Sequence, residues 1–335
     1  MRRRGRPCSG REPGRPHYCH VFNDCATSTC TRLVAWKHEG VPRAGKGGEE
    51  ASRARVRMTA TRDMSPPLRV LVAEQPHYLP WLDFYEQVAR ADTLLVLDNV
   101  QWLRRGWQRR TRVALSPGTP LPPPAGAAFQ WLTIPLEGAH RDTLLSELAV
   151  EASAPWTRKH LATLTMLYGR RPYFRTQVLP ALERFYAEAA REQGPGSLLR
   201  TLLASMALFL EPLGVAPRVV LASTLDRSHP DKTGRLVSYC TQLGLDTYYS
   251  AVGSLYLKPG PFRDADVRLL WQKFRYPSYP QGREGDRFVM GLSIVDVLSN
   301  VPVDEVRRWL EPSPWGPFAS PGPQDFASSL SNRTK

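Results

Sequence analysis

No stretch of this 335-residue chain approaches the roughly 20 consecutive apolar residues that cross a bilayer as a helix, although 42% of its residues are hydrophobic. The first 30 residues lack an apolar segment of the kind that opens a secretory signal. The cytoplasm is the expected compartment. Cysteine is scarce: five in all, of which Cys8, Cys19, Cys25 and Cys30 lie in the amino-terminal leader beside His17 and His20. A zinc site is the sharp reading of that cluster, but no CxxC-type pair is present and the spacing matches no common zinc framework. The plainer expectation for residues 1–66 is a disordered leader or a mis-assigned start, since Met58 and Met64 both stand just before the first periodic segment. Cys240 alone lies in the body, on a helix face, where it reads as a small buried hydrophobe.

Lysine is also scarce. Of 45 Lys and Arg only seven are Lys, and the arginines come with many Ala, Pro and Gly, a pattern expected of GC-rich coding. The formal charge of +14 invites a nucleic-acid reading. Its distribution argues against one: residues 1–66 alone carry 14 Lys and Arg against 6 Asp and Glu, and bulk charge speaks to non-specific attraction rather than to a built site.

Several chemistries lack their signatures. There is no GxGxxG after a strand, no GxxxxGK[ST], no GxSxG, no HExxH and no CxxC. Metal sites, Walker-type ATP sites and serine-hydrolase chemistry are therefore not expected, and no cofactor can be named.

The chain body opens on a strand–helix–strand pattern. Leu68 to Ala73 is a short Val/Leu-rich run, as in a fully buried strand. Pro80 then opens a helix that places Trp81, Phe84, Tyr85, Val88 and Ala89 on one face and Asp83, Glu86, Gln87 and Arg90 on the other. Thr93 to Leu97 is a second buried strand, ending in Asp98-Asn99. If the two strands are parallel neighbours, Gln75, His77 and Tyr78 leave one carboxyl end and Asp98 leaves the next. That edge is where open α/β sheets bind ligands. Pro76 and Pro80 stiffen the loop between strand and helix. The alternative is that Tyr78 and Trp81 plug the end of the sheet and His77 faces solvent.

Further on, Trp102, Arg104, Arg105, Trp107, Arg109, Arg110 and Arg112 crowd into a short stretch. Guanidinium and indole groups together could hold phosphates and stack on a ring; a basic, exposed strand pair is the alternative. A Pro-rich loop, 116–128, and a strand at Trp131 to Leu136 follow. The middle is helical, with helices near 157–168, 174–190 and 196–212. The first places His160 on the apolar face with Leu164, Leu167 and Tyr168, either as a cleft residue or as a satisfied core histidine. Strands are expected at 218–222, 248–251 and 267–272, with Ser223 at the end of the first. Asp231 is placed to cap a helix that Gly244 ends. Ser293 caps a helix whose first turn holds Asp296, a position the helix dipole alone would favour. Residues 313–335, rich in Pro and Ser, read as a disordered tail. The fold class is α/β: a mainly parallel sheet with a strand–helix–strand start and a helical middle section.

These pieces together resemble the WbqC-like family. They are Gln75-Pro76-His77-Tyr78-Leu79-Pro80-Trp81, Ala91-Asp92 with Leu97-Asp98-Asn99-Val100-Gln101, Arg110, and Trp131-Leu132-Thr133-Ile134-Pro135. To them add Trp156 with His160, Tyr168 with Pro172-Tyr173-Phe174, Ser223-Thr224-Leu225, Tyr256-Leu257, Tyr279 with Gln281, and Leu292-Ser293-Ile294-Val295-Asp296. The resemblance spans about 67–312. It departs in one place: the family commonly has His where Glu74 stands and Asn where His77 stands. Family members are associated with O-antigen, other surface-glycan and secondary-metabolite gene sets, so the resemblance implies a transferase, with acyl or aminoacyl transfer to an amino sugar as one form. A weaker likeness, in the strand, His-containing loop, helix and strand order, is to nucleotidylyltransferases of the HIGH type. A non-catalytic glycan- or partner-binding module is the alternative from outside the enzymes.

The expectation is a small-molecule site at the carboxyl edge of the sheet, taking a nucleotide-sugar or an acyl carrier. His77 or His160 would be the general base, since histidine titrates near working pH. Asp98 would orient a histidine or hold a substrate amine. Arg104, Arg105 and Arg110 would hold phosphates, and Tyr78, Trp81 and Trp107 would stack on a ring. Gln75, Ser223 and Asp296 complete the expected binding set.

Overall fold

A computed structural model describes residues 68–311 apart from 105, 116–128, 139–141, 252–253, 255 and 283–287. The leader with its cysteines, Arg105, the Pro-rich loop and the tail lie outside the described residues.

The first unit forms as its pattern dictates. Strand β1 is Val70–Glu74, helix α1 Leu82–Ala89 and strand β2 Thr93–Val96, and β1 and β2 pair in parallel with Leu71 opposite Thr93. Two short hairpins follow: β3 (Arg110–Ala114) against β4 (Phe129–Thr133), and β5 (Leu136–Glu137) against β6 (Ala149–Val150). The expected strand at 131–136 is thus two pieces, because Pro135 interrupts the ladder between them. The helical middle is α2 (Trp156–Tyr168), a π-helical turn at Phe174–Val178 leading into α3 (Leu179–Ala189), and α4 (Ser197–Ala207).

The chain then returns to the sheet. Strand β7 (Arg218–Leu221), helix α5 (Lys232–Leu243), strand β8 (Thr247–Ser250), helix α6 (Pro259–Asp264) and strand β9 (Arg268–Trp271) alternate. Helices α7 (Ile294–Asn300) and α8 (Val303–Leu310) close the fold. Asp231 caps α5 by accepting from the Gly234 amide at 3.0 Å, and Gly244 ends it in the left-handed conformation, φ +66°.

The five-stranded sheet runs β7-β2-β1-β8-β9, all parallel. Its central strands β2, β1 and β8 are buried on both sides because both faces are covered. Val70, Val72, Leu94, Val96 and Tyr249 pack into the larger core with α1, α2, α3, α4, α7 and α8. Leu71, Leu95, Tyr248 and Trp271 pack into a smaller core against Leu236, Tyr239 and Cys240 of α5 and Phe262 of α6. Leu71 and Leu95 are fully buried, worth roughly 1.5–3 kcal/mol each.

The polar face of α1 is not left to solvent: Glu86 and Gln87 are both buried. The Glu86 carboxylate accepts from the Arg90 guanidinium, from Tyr249 Oη at 3.1 Å and from Gln272 Nε2 at 2.7 Å, while Gln87 Nε2 donates to Gln272 Oε1 at 3.0 Å. A sheet that continues to β8 and β9 covers this side of the helix, and periodicity within α1 carries no information about that.

Candidate functional site

The chain builds outward from β1 in both directions, first to β2 and β7, later to β8 and β9. The crevice that such a reversal opens lies outside the carboxyl ends of β1 and β8. A cavity of ≈ 290 Å³ occupies that place, near the lower limit of small-molecule sites, roughly 300–1,000 Å³. Glu74, Gln75 and His77 line it from the end of β1, Asn99 and Val100 from beyond β2, and Arg227 from beyond β7. Lys232, Arg235 and Tyr239 reach it from α5, and Tyr248, Ser254 and Tyr256 from β8 and the loop after it.

The loop between β1 and α1 is held rigidly. Leu79 has φ +42°, a strained value for a residue with a branched side chain. Its surroundings over-determine it: its amide donates to Ser205 Oγ at 2.7 Å, and its carbonyl accepts from Thr111 Oγ1 at 2.9 Å and Ser293 Oγ at 3.0 Å. Gln108 clamps the same loop. It donates through Nε2 to Gln75 Oε1 at 2.9 Å, and its carbonyl accepts from the Tyr78 amide at 3.0 Å.

Glu74 and His77 face each other, with 3.9 Å between Oε2 and Nε2. Burial raises the Glu74 carboxyl to about 7 and lowers His77 to about 4. The His77 ring stacks on Trp81, centroids 5.1 Å apart, and its buried Nδ1 has no hydrogen-bond partner. Near neutral pH the titrating group of the pair is therefore the carboxyl.

Tyr78 and His160 do not line the cavity. Tyr78 Oη lies 2.8 Å from His160 Nδ1 and also meets the Tyr186 hydroxyl, and Trp156 packs on the His160 ring. Burial lowers His160 to about 4, opposed by a hydrogen bond with the Thr133 backbone. Asp98 is buried and accepts from the Ser223 amide at 2.9 Å, tying the end of β2 to the end of β7. Ser223 itself is exposed.

The Trp–Arg stretch folds onto itself. Trp81, Trp107 and Trp131 form a ladder, with neighbouring centroids 4.7 and 5.1 Å apart. The Arg110 guanidinium lies 4.1 Å from the Trp131 ring centroid, and the Arg112 guanidinium 4.4 Å from that of Trp107. Arg110 Nε also donates to the Gly106 carbonyl at 3.1 Å. Arg104 is exposed and not part of the cavity wall.

Asp296 lies fully buried elsewhere, accepting from Tyr279 Oη at 2.7 Å. Burial raises it to about 6 from 3.8, with the Tyr279 hydrogen bond opposing. The stability it lends by holding a proton is fully present below about pH 3.8 and is lost as pH rises through about 6. Asp296→Asn removes that dependence. Its stability relative to the parent is expected to rise by about 3 kcal/mol between pH 3.5 and pH 7.5, read from urea unfolding at both values; equal differences at the two would show that Asp296 titrates normally.

Sequence reasoning passed over Glu74 as a site residue and missed Arg227, Lys232 and Arg235. A signal existed: Lys232, Arg235, Leu236 and Tyr239 stand at i, i+3, i+4 and i+7, one helix face. Among the described residues, no group of His, Cys, Asp and Glu could hold a metal ion, and no helix is long and apolar enough to cross a membrane.

A Mycobacterium tuberculosis (strain ATCC 25618 / H37Rv) protein named Uncharacterized protein Rv1507c is similar to this chain, 26% identical over 231 residues, covering 68% of this chain and 91% of its own. No solved structure matches. The model of the WbqC-like protein family matches residues 75–308, a span that runs from the polar loop at the cavity to α8. By that match the chain belongs to the WbqC-like protein family.

Proposed function

We propose that the protein is a cytoplasmic transferase of surface-glycan or secondary-metabolite biosynthesis, moving an acyl or aminoacyl group from a carrier thioester to an amino sugar in the cavity at the carboxyl edge of the sheet. The observation that carries this reading is the Glu74–His77 pair, 3.9 Å apart in that cavity, with the carboxyl raised to about 7. A carboxylate with that affinity for protons is a matched general base at working pH. The acceptor amine forms the new C–N bond to the carbonyl carbon as the C–S bond breaks. Glu74 takes the proton that the nitrogen sheds and returns it to the departing thiolate.

His77, neutral at this pH, offers a hydrogen bond to the substrate rather than serving as the base. Gln75, fixed by Gln108, is a binding residue. Asp98, Tyr78 and His160 are positioning residues: Asp98 joins the ends of β2 and β7, and the Tyr78–His160 bond anchors the polar loop. Trp81 supports the His77 ring from below.

The test is a panel of acyl- and aminoacyl-thioesters offered with nucleotide-linked amino sugars, with products read by mass. The expected result is an amide product in one donor–acceptor pair, formed by the parent protein and absent without it. A folded protein that transfers nothing across the panel would remove the transferase reading.

A further inference from the structure

We infer that the cavity takes a group donor or acceptor through its diphosphate, held by Arg227, Lys232 and Arg235. This rests on the cavity being the site of transfer and adds the class of molecule that enters it.

Three observations converge. The strand order β7-β2-β1-β8-β9 is third-second-first-fourth-fifth in chain order, the arrangement whose switch point receives nucleotide phosphates. The cavity lies at that switch point, and its wall carries three cations against one carboxyl. That leaves an excess of two positive charges with Glu74 ionised, equal and opposite to a diphosphate diester.

Second, the cations are not spent on the protein. Among the described residues none of the three is in an ion pair. Arg227 Nη1 donates to the Asn99 carbonyl at 2.6 Å, which fixes the guanidinium at the cavity without neutralising it. The Lys232 ammonium sits 5.7 Å from the ring centroid of exposed Tyr256.

Third, Lys232 and Arg235 break a local rule. They stand in the first turn of the 12-residue helix α5, which holds no acidic residue there. The positive end of the helix dipole disfavours cations at that end. The Asp231 carboxylate that caps α5 meets part of the dipole, but neither cation is ion-paired with it, and a bound anion would offset both cations at this end. His77, on the cavity wall with an unpartnered buried Nδ1, offers a further donor or acceptor to the same ligand.

Two kinds of substrate carry this group: nucleotide-sugars and coenzyme A thioesters. The experiment is calorimetric titration of the full chain at low salt with inorganic pyrophosphate, then with uridine diphosphate and with coenzyme A. The expected result is pyrophosphate binding that weakens as salt rises, and a tighter complex with one of the two larger ligands, which names the source. Arg227→Ala, Lys232→Ala and Arg235→Ala should each weaken pyrophosphate at least tenfold, with thermal unfolding reporting that they remain folded. Arg263→Ala, which removes an exposed charge on α6 (side chain 82% exposed), should change binding less than twofold. Binding of none of the three ligands, or equal weakening by Arg263→Ala and the cavity variants, overturns the inference. Glu74→Gln separates it from the transferase reading: that variant keeps pyrophosphate binding if the anion site is right. Turnover that persists without anion binding would remove the diphosphate and leave the transfer.

Discussion

Glu74→Gln is expected to lower turnover on the order of 10²–10⁴-fold, the usual contribution of a positioned general base, while the cavity keeps its shape. Glutamine is close to isosteric with the protonated carboxyl that burial favours, so the fold gives no reason for the loss except the missing proton acceptor. The pH profile makes the assignment specific. With Glu74 raised to about 7 by burial, the base form is the minor species at pH 6 and the major one at pH 8, so kcat/KM of the parent should climb through about 7 and then level. The climb should vanish in whatever residual rate Glu74→Gln retains. His77→Gln should lower the rate but leave the inflection in place, because His77 is held near 4 and is already neutral across this range. A parent profile that is flat from pH 6 to 8, or a Glu74→Gln rate within threefold of the parent, would falsify the base assignment. The same substitution should stabilise the protein above pH 7: the folded state binds the Glu74 proton more tightly than the unfolded chain does, and that advantage is lost as pH rises through about 7. A variant that gains stability and loses turnover is the expected signature of a strained functional group.

Glu86→Ala is expected to destabilise the fold by about 3–5 kcal/mol, the cost of removing one partner from a buried charged network. Three donors lose their acceptor together: the Arg90 guanidinium, the Tyr249 hydroxyl and the Gln272 amide. Glu86 is fully buried, and the Arg90 side chain is largely so, which leaves the guanidinium little water to turn to. Urea unfolding of Glu86→Ala, Arg90→Ala and the double variant would separate the pair from the rest of the network. The coupling energy should exceed 1 kcal/mol, as for groups that share a buried hydrogen bond. A loss below 1 kcal/mol in Glu86→Ala would mean that water or a rotated side chain replaces the carboxylate. This network also joins the fold to the site, since it fixes α1 against β8 and β9, and α1 carries the polar loop at its amino end.

The first third of the fold was legible because its contacts are local. A buried strand, a proline-stiffened loop, an amphipathic helix and a second buried strand are each written in a few neighbouring residues, and β1 and β2 pair as their order suggests. The caps were equally local: Asp231 and Ser293 each accept an amide within their own first turn. The site was legible only in part. Gln75 and His77 line the cavity as their place at a strand end implied, whereas Tyr78 and His160 bond to one another in the core and Asp98 binds the Ser223 backbone. The Trp–Arg stretch illustrates why. Its composition suits phosphate and ring binding, but cations and indoles that suit a ligand suit each other as well, and the β3–β4 hairpin brings Arg110 onto Trp131 and Arg112 onto Trp107.

By itself the sequence determined the family, the α/β class, the strand-end location of the polar loop, both ends of α5 and the amino end of α7, because each is set by residues within a few positions of one another or by a pattern read along the chain. Only the tertiary structure decided which carboxylates are buried, which arginines are spent on tryptophans and which face the cavity. Those outcomes depend on strand order. Placing β8 beside β1 covers the Glu86 side of α1 and brings Tyr248 to Glu74. Placing β7 beside β2 brings Arg227 to the cavity, with Lys232 and Arg235 close behind it on α5. Contacts between residues more than 100 positions apart are fixed by how two faces of one sheet are covered, and no local periodicity records that.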